Sequence, residues 1–276
     1  MPVIAMTHEI ATRGNEVAEG LAARLALSVI HPELVEHEIA ERSGLPEKQV
    51  HRFLEGEASL WERWKPDRLR VSQYTEQEIL ELATRGNILV RGWNAASLLK
   101  SIPHVVCVRV CAPMSFREEI LMDRLGIKNA ATARHEIQQS DTVHNDAMQK
   151  PAGCDWKDPS LYAMVLNSAR IPVAECVEQI VRLAQSPPFE ETEASRAILM
   201  DELIVARIQC AMDKRFGPKS LQNGFDVHVS GRQIILSAAS TDEHMIVDAL
   251  RLLHGIEGVK SVECKVAHVA FVPHAS

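Results

Sequence analysis

Between an apolar run at the amino terminus and the first amphipathic stretch lies Met6-Thr7-His8-Glu9-Ile10-Ala11-Thr12-Arg13-Gly14-Asn15-Glu16-Val17, which holds the place of a phosphate-binding loop with little of its chemistry. A G-x-x-x-x-G-K-[ST] loop cradles phosphate because its glycines let successive backbone N–H groups converge, its Lys adds charge and its hydroxyl holds Mg²⁺. Here Gly14 alone of those glycines stands, and no Lys follows it. Thr12, Arg13, Gly14 and Asn15 still fall at a helix N-terminus, where unpaired N–H groups and the helix dipole favour an anion. Arg13 either supplies the charge the Lys would give or is a surface side chain on a tight turn. Glu9, at the carboxyl end of the first strand, is the carboxylate that would reach Mg²⁺ through a water. Equally, the segment reads as a plain strand-to-helix turn, with Gly14-Asn15 supplying an unusual φ and Asn15 a cap.

The elements around this loop alternate short apolar runs with helical patterns from residue 1 to about 186, which predicts a parallel sheet with crossover helices. The expected strands are Val3–Thr7, Ser28–Ile30, Ile88–Val90, Val105–Val110 and Tyr162–Leu166. Val17, Leu21 and Leu25 set one apolar face on the helix after the loop. The 276 residues are 46% hydrophobic, enough to bury a core. A net charge of -7, from 37 acidic and 30 basic side chains, leaves no electrostatic footprint for nucleic acid or an anionic membrane. The opening Met1-Pro2-Val3-Ile4-Ala5-Met6 is too brief for a signal segment and no run reaches spanning length, so a cytoplasmic protein is expected. Six cysteines, at 107, 111, 154, 176, 210 and 264, form no C-x-x-C pair, and no histidines group at metal-ligand spacing. Free thiols and no resident metal are the reading.

Ser186 to Ser195, with paired prolines and an acidic run, reads as a linker, placed at 187–195. Beyond it the rhythm changes. A helical stretch from Arg196 to Phe216 precedes the alternating Phe225-Asp226-Val227-His228-Val229, then Ser230-Gly231 and a second strand, Gln233–Ala238, a hairpin signal. A helix from Thr241 to His254, opened by a capping threonine and acids and stopped at Gly255, leads to a last strand supplied by Gly258–Val266. This α-β-β-α-β order, with Gly-Ile-Glu-Gly-Val-Lys-Ser-Val before the last strand, resembles the BON domain family over most of residues 199–268. The resemblance implies a docking module at 196–272 with an unidentified protein or small-ligand partner and no chemistry of its own.

The first 186 residues resemble the cytidylate-kinase-like family. The likeness is carried by Val29-Ile30-His31-Pro32-Glu33-Leu34-Val35 and the Ile39–Leu45 stretch. It continues in Val105–Arg109 with Ala112-Pro113-Met114-Ser115-Phe116-Arg117-Glu118-Glu119-Ile120-Leu121-Met122-Asp123-Arg124, and most specifically in Asp155-Trp156-Lys157-Asp158-Pro159-Ser160-Leu161-Tyr162 with Val165-Leu166-Asn167 and Arg170. It implies an α/β, P-loop kinase-like three-layer fold with a five-stranded parallel sheet, ATP and Mg²⁺ as cofactors, and a nucleoside monophosphate as acceptor. Transfer between two polyanions needs cations and backbone donors around both phosphates. The family's loop, S-R-E-[FY]-G-S-G-G-R-E, aligns so that His8 and Asn15 replace Arg, and Ala11 and Arg13 replace Gly. Its G-R-G-A reads here Gly92-Trp93-Asn94-Ala95, with Arg91 one residue off, and of its lid run D-K-x-R only Asp141 remains, since 135–149 hold no Lys or Arg. By the same likeness Arg91, Arg117, Arg124 and Arg170 join Thr12, Arg13, Gly14 and Asn15 as phosphate-site candidates. Arg52, Trp61 and Arg63 fall in the acceptor-pocket region. Arg117, Arg124 and Arg134, at spacings of seven and ten, read either as a lid cleft or, by preference, as a solvated helical face. The expectation is a catalytically impaired kinase fold that binds a nucleotide or regulates through its second domain. The alternative is an active ATP-dependent CMP/dCMP-type kinase with a rebuilt loop, in which Arg13 and Glu9 do the work.

Overall fold

The computed structural model describes residues 1–54, 66–92, 95–126, 128–152, 155–217, 220–222, 225–238 and 243–266. Five parallel strands, β1 (Val3–His8), β2 (Ser28–Ile30), β3 (Ile88–Arg91), β4 (Val105–Cys111) and β5 (Met164–Asn167), form one sheet in the order β2-β3-β1-β4-β5. Val-Ile-Ala-Met and Val-Val-Cys-Val make unbroken apolar runs because the sheet is covered on both faces. On one face lie α1 (Gly14–Leu25) and α8 (Val173–Ala184), where Val17 and Leu21 meet Cys176, Val177 and Ile180 beneath Ile4, Met6 and Val108. Gly20 lets these helices close up: a Cβ there would stand 2.7 Å from Val177 Cγ2. On the other face, α4 (Pro66–Arg85) and α5 (Ala95–Leu99) bury Leu80, Ala83 and Leu99 against Val3, Ala5 and Cys107. Outside these layers run α2 (Pro32–Ser43), α3 (Glu47–Leu54) and the arm α6 (Met114–Leu125) with α7 (Ala130–Ala152).

The largest departure from the sequence reading is α9, Glu193–Phe216, which starts three residues early, inside the expected linker. A reciprocal capping box explains the start: Thr192 Oγ1 accepts from the Ser195 N–H, and Ser195 Oγ accepts from the Thr192 N–H. The preceding Pro187–Phe189 is a single 3-10 turn whose Phe189 packs on the α1–α8 side of the sheet, and the Met1 ammonium meets Glu191 at 3.0 Å. Leu199, Leu203 and Ala206 of α9 complete the first core, while Ile204, Ile208 and Met212 enter a second one. That second core lies under a three-stranded sheet, β6 (Phe225–Ser230), β7 (Gln233–Ala238) and β8 (Ser261–Val266), with α10 (Glu243–His254). β6 and β7 are antiparallel and β8 runs parallel to β7. Their hairpin turns through Gly231 and Arg232, both at positive φ, the pattern a two-residue turn needs to match strand twist. Both turn N–H groups donate to Asp201 of α9 at 2.7 Å.

Polar ties reinforce the α4–α9 contact. Gln73 Nε2 donates to Asp213 Oδ2 at 2.7 Å, and Glu81 accepts from both Arg42 of α2 and Arg207 of α9. Burial pushes the Asp213 carboxyl up, but donation from Gln73 and Ser220 outweighs it and holds the group below its usual range. No described helix is long and apolar enough to cross a membrane.

Candidate functional site

The central strands β1 and β4 are neighbours whose chains leave in opposite directions, β1 toward β2 and β4 toward β5. Such a divergence opens a crevice at the carboxyl ends of the strands. The β1–α1 loop, 9–13, sits there. Ala11 and Arg13 hold left-handed backbone at φ 61° and 58°, at two of the three positions where the resemblance places glycine. Two side-chain-bearing residues thus take a conformation that glycine adopts freely, at a strain of roughly 1–2 kcal/mol for each. At Ala11 the methyl group repays part of that: it is buried with Leu121 of α6 and Ala133 and Ile137 of α7. Thr12 is fully buried, and its Oγ1 donates to the Glu9 carbonyl at 2.7 Å. Gly14 opens α1 against the His8 side chain, where an added Cβ would lie 2.4 Å from His8 Cγ. The N-cap residue is Arg13 rather than Asn15, and its side chain makes no cap.

The cations at this crevice are neutralised from within. Glu9, 5% exposed, receives Arg109 Nη2 on one oxygen; on the other it faces Arg117 Nη1 at 3.7 Å and the Ala112 N–H at 3.4 Å. Arg117, 3% exposed, donates from Nε to the Ile10 carbonyl at 2.9 Å and from both terminal nitrogens to Asp141 at 2.9 and 2.7 Å. Arg109 also donates to the Lys157 carbonyl at 3.0 Å and lies 4.9 Å from the centre of the Trp156 ring. Trp156 is fixed by Nε1 donating to Asn145 Oδ1 at 2.5 Å and by Tyr162, whose hydroxyl donates to the Trp156 carbonyl at 2.7 Å. At the rim, Arg13 pairs with Glu16 at 2.8 and 2.5 Å, which raises the guanidinium's pKa and lowers the carboxyl's. Arg91 donates to Asn15 Oδ1 at 2.7 Å, so these two expected site residues do meet.

Other candidates land elsewhere. Arg117 is buried, correcting its preferred reading as part of a solvated face: three hydrogen bonds and two carboxylates hold it inside. Arg134 is on a different helix from Arg117 and pairs with Glu118. Arg124 is exposed in the last turn of α6, and Arg170 is exposed in the turn after β5. Trp61, Arg63 and Trp93 lie outside the described residues, as does the side chain of Arg52, whose backbone is in α3. Sequence reasoning missed Arg109, although a signal existed: it is the sole charged residue of the strand Val-Val-Cys-Val-Arg-Val-Cys. A lone cation in a buried run requires a buried partner. The thiols offer no alternative chemistry, since burial pushes Cys107 and Cys210 up to about 12 and all five described cysteines are free.

The donor set does not fit Mg²⁺. Both Glu9 oxygens are engaged by guanidinium or N–H groups, and no cluster of three metal-type ligands occurs among the described residues.

The model of the cytidylate kinase-like family matches residues 3–170, more than half of the chain. The chain belongs to the cytidylate kinase-like family. Among solved structures, an uncharacterized protein from Eubacterium ventriosum ATCC 27560 is similar at a TM-score of 0.54 and 16% identity, over 67% of this chain and 99% of its own. That likeness concerns the fold. Shikimate kinase from Acinetobacter baumannii in complex with shikimate (TM-score 0.38, 14% identity, 69% and 96% coverage) and YorR from Bacillus subtilis in complex with phosphorylated GDP (0.41, 11%, 69% and 99%) are more remote and carry no argument. No curated protein matches this chain. In this cytidylate kinase-like chain the loop therefore holds two left-handed residues, Ala11 and Arg13, and residues 135–149 contain no Lys or Arg.

Proposed function

We propose that this cytidylate kinase-like chain is a catalytically impaired member that binds a nucleotide or phosphate weakly and acts through interaction rather than phosphoryl transfer. The observation that supports this is that Arg109, Arg117 and Arg13 are paired with the Glu9, Asp141 and Glu16 carboxylates, while Arg91 donates to the Asn15 amide oxygen. An arginine held by a protein carboxylate must break that pair before it stabilises a transferring phosphoryl group. The family pattern's Arg at positions 8 and 15 and the lid's basic pair are absent as well. Three such losses at ~1.5–3 kcal/mol each slow transfer by roughly three to seven powers of ten. What anion binding remains rests on the loop N–H groups at Gly14 and on Arg13 and Arg91.

The second sheet, with its αββαβ order, supports a BON-like docking role for residues 196–272. The free thiols fit a reducing, cytoplasmic setting. With ATP, Mg²⁺ and CMP, dCMP or UMP, the purified chain is expected to give no ADP above background. Turnover at ordinary kinase rates that is lost in Arg13→Ala would replace this reading with that of an active CMP-type kinase using a rebuilt loop. Calorimetric binding undiminished in an Arg13→Ala, Gly14→Val double variant would move the nucleotide away from the loop.

A further inference from the structure

Three elements far apart in sequence converge on Arg117. From α6 its Nε reaches the Ile10 carbonyl of the β1–α1 loop, its terminal nitrogens grip Asp141 of α7 on both oxygens, and Nη1 faces Glu9. Beside it, the loop's Ala11 shares a small apolar cluster with Leu121 of α6 and Ala133 and Ile137 of α7, flanked by Ile10, Met114 and Ile120. The first residue after that charged contact to Ile10 is the one in left-handed backbone. An alanine leaves that conformation readily unless neighbours hold it, and the neighbours here belong to the arm. Four buried side chains, with Ile10, Met114, Ile120 and Met122 packed against them, give arm and loop a small shared core, and the bidentate Arg117–Asp141 pair beside it is strong once made and costly to split.

We propose that Glu9–Arg117–Asp141 is a latch that holds the α6–α7 arm shut on the β1–α1 loop, and that the loop's phosphate-cradle shape depends on the arm being shut. Arm and loop therefore open as one cooperative unit. Asp141, the surviving member of the lid run, acts as a positioning residue toward the loop through Arg117. This coupling does not depend on whether the chain transfers phosphate.

Hydrogen–deuterium exchange on the full chain tests it. Asp141→Ala is expected to speed exchange at least about tenfold in two separate segments, 130–142 and 10–14, while β4 stays protected. Asp141→Asn, which keeps the shape and one acceptor, gives a smaller rise in the same two segments and serves if the alanine variant fails to fold. Arg134→Ala, which breaks the other α6–α7 pair, between the exposed Arg134 and Glu118, leaves 10–14 unchanged. The exchanged pair Arg117→Asp, Asp141→Arg re-forms a salt bridge between the helices but sets Asp beside Glu9, and 10–14 stays fast. Acceleration confined to α7 in both Asp141 variants, or full restoration of 10–14 by the exchanged pair, overturns the latch.

Discussion

Two networks of arginines and carboxylates bind this molecule together, one at the carboxyl ends of the parallel sheet and one where α4 meets α9. In the first, Arg109 and Arg117 share Glu9 and Arg117 also holds Asp141; in the second, Arg42 and Arg207 share Glu81, with Glu78 at 3.3 Å from Arg42. The compositions are alike but the settings are not. Arg117 is almost wholly buried and ties the β1–α1 loop to the arm beside a small apolar cluster, whereas Arg207 is partly exposed and joins helices that share a larger core. An ion pair matters most where less packing stands beside it.

The sharpest way to break that contrast is to truncate one arginine from each. Arg117→Ala leaves two buried carboxylates partly uncompensated and is expected to cost about 3–5 kcal/mol in urea unfolding, against about 1 kcal/mol for Arg207→Ala. Equal costs would mean that burial does not set the difference. Leu203→Ala, on the α9 face turned to the first core, should cost about 2–5 kcal/mol. If the junction is held chiefly by its charges, that figure will instead fall below the Arg207→Ala value. Gly14→Ala drives a methyl group into the His8 side chain and should lower stability by about 1–3 kcal/mol, with changed His8 ring signals in NMR. An unchanged melting temperature would show that the His8 side chain moves aside freely.

A smaller effect is pH-dependent. His104, 3% exposed, has Nδ1 2.9 Å from Ser195 Oγ at the start of α9, and burial lowers its pKa from the ordinary 6.5. Because the folded state disfavours the proton, this contribution is complete above about 6.5 and is lost as pH falls through the group's own lower value. Thermal unfolding should show stability declining below pH 6.5, with the slope reduced in His104→Gln; an identical slope assigns the decline to other groups. Smallest of all, Ala11→Gly should shift stability by less than about 1 kcal/mol, since relief of left-handed strain offsets the lost methyl burial and the freer unfolded chain.

Much of the fold was legible because unbroken apolar runs announce a doubly covered parallel sheet. Ser28–Ile30 and Gln233–Ala238 fall where the pattern puts them, and β1, β3 and β4 differ by a residue at one end. The α9 start was hidden because Pro187-Pro188 and the acids after it have linker composition, while the capping box that decides the matter depends on Thr192 and Ser195 facing each other. At the site, the loop's missing charges were readable from types and spacing. The partners were not: Glu9 and Arg109 stand 100 residues apart, and Arg117 and Asp141 stand 24 apart on two helices. Only the β1–β4 register, Thr7 opposite Arg109, brings the first pair within reach.

The double burial of α9 bears on how the chain tolerates being cut. A fragment ending before Glu193 would bare the patch of α4 and α5 that Leu199, Leu203 and Ala206 cover, and a fragment beginning there would carry those three side chains into water. Either piece would present a sticky surface, so dissecting the two sheets for separate expression invites aggregation at the very seam where the sequence suggests dividing them.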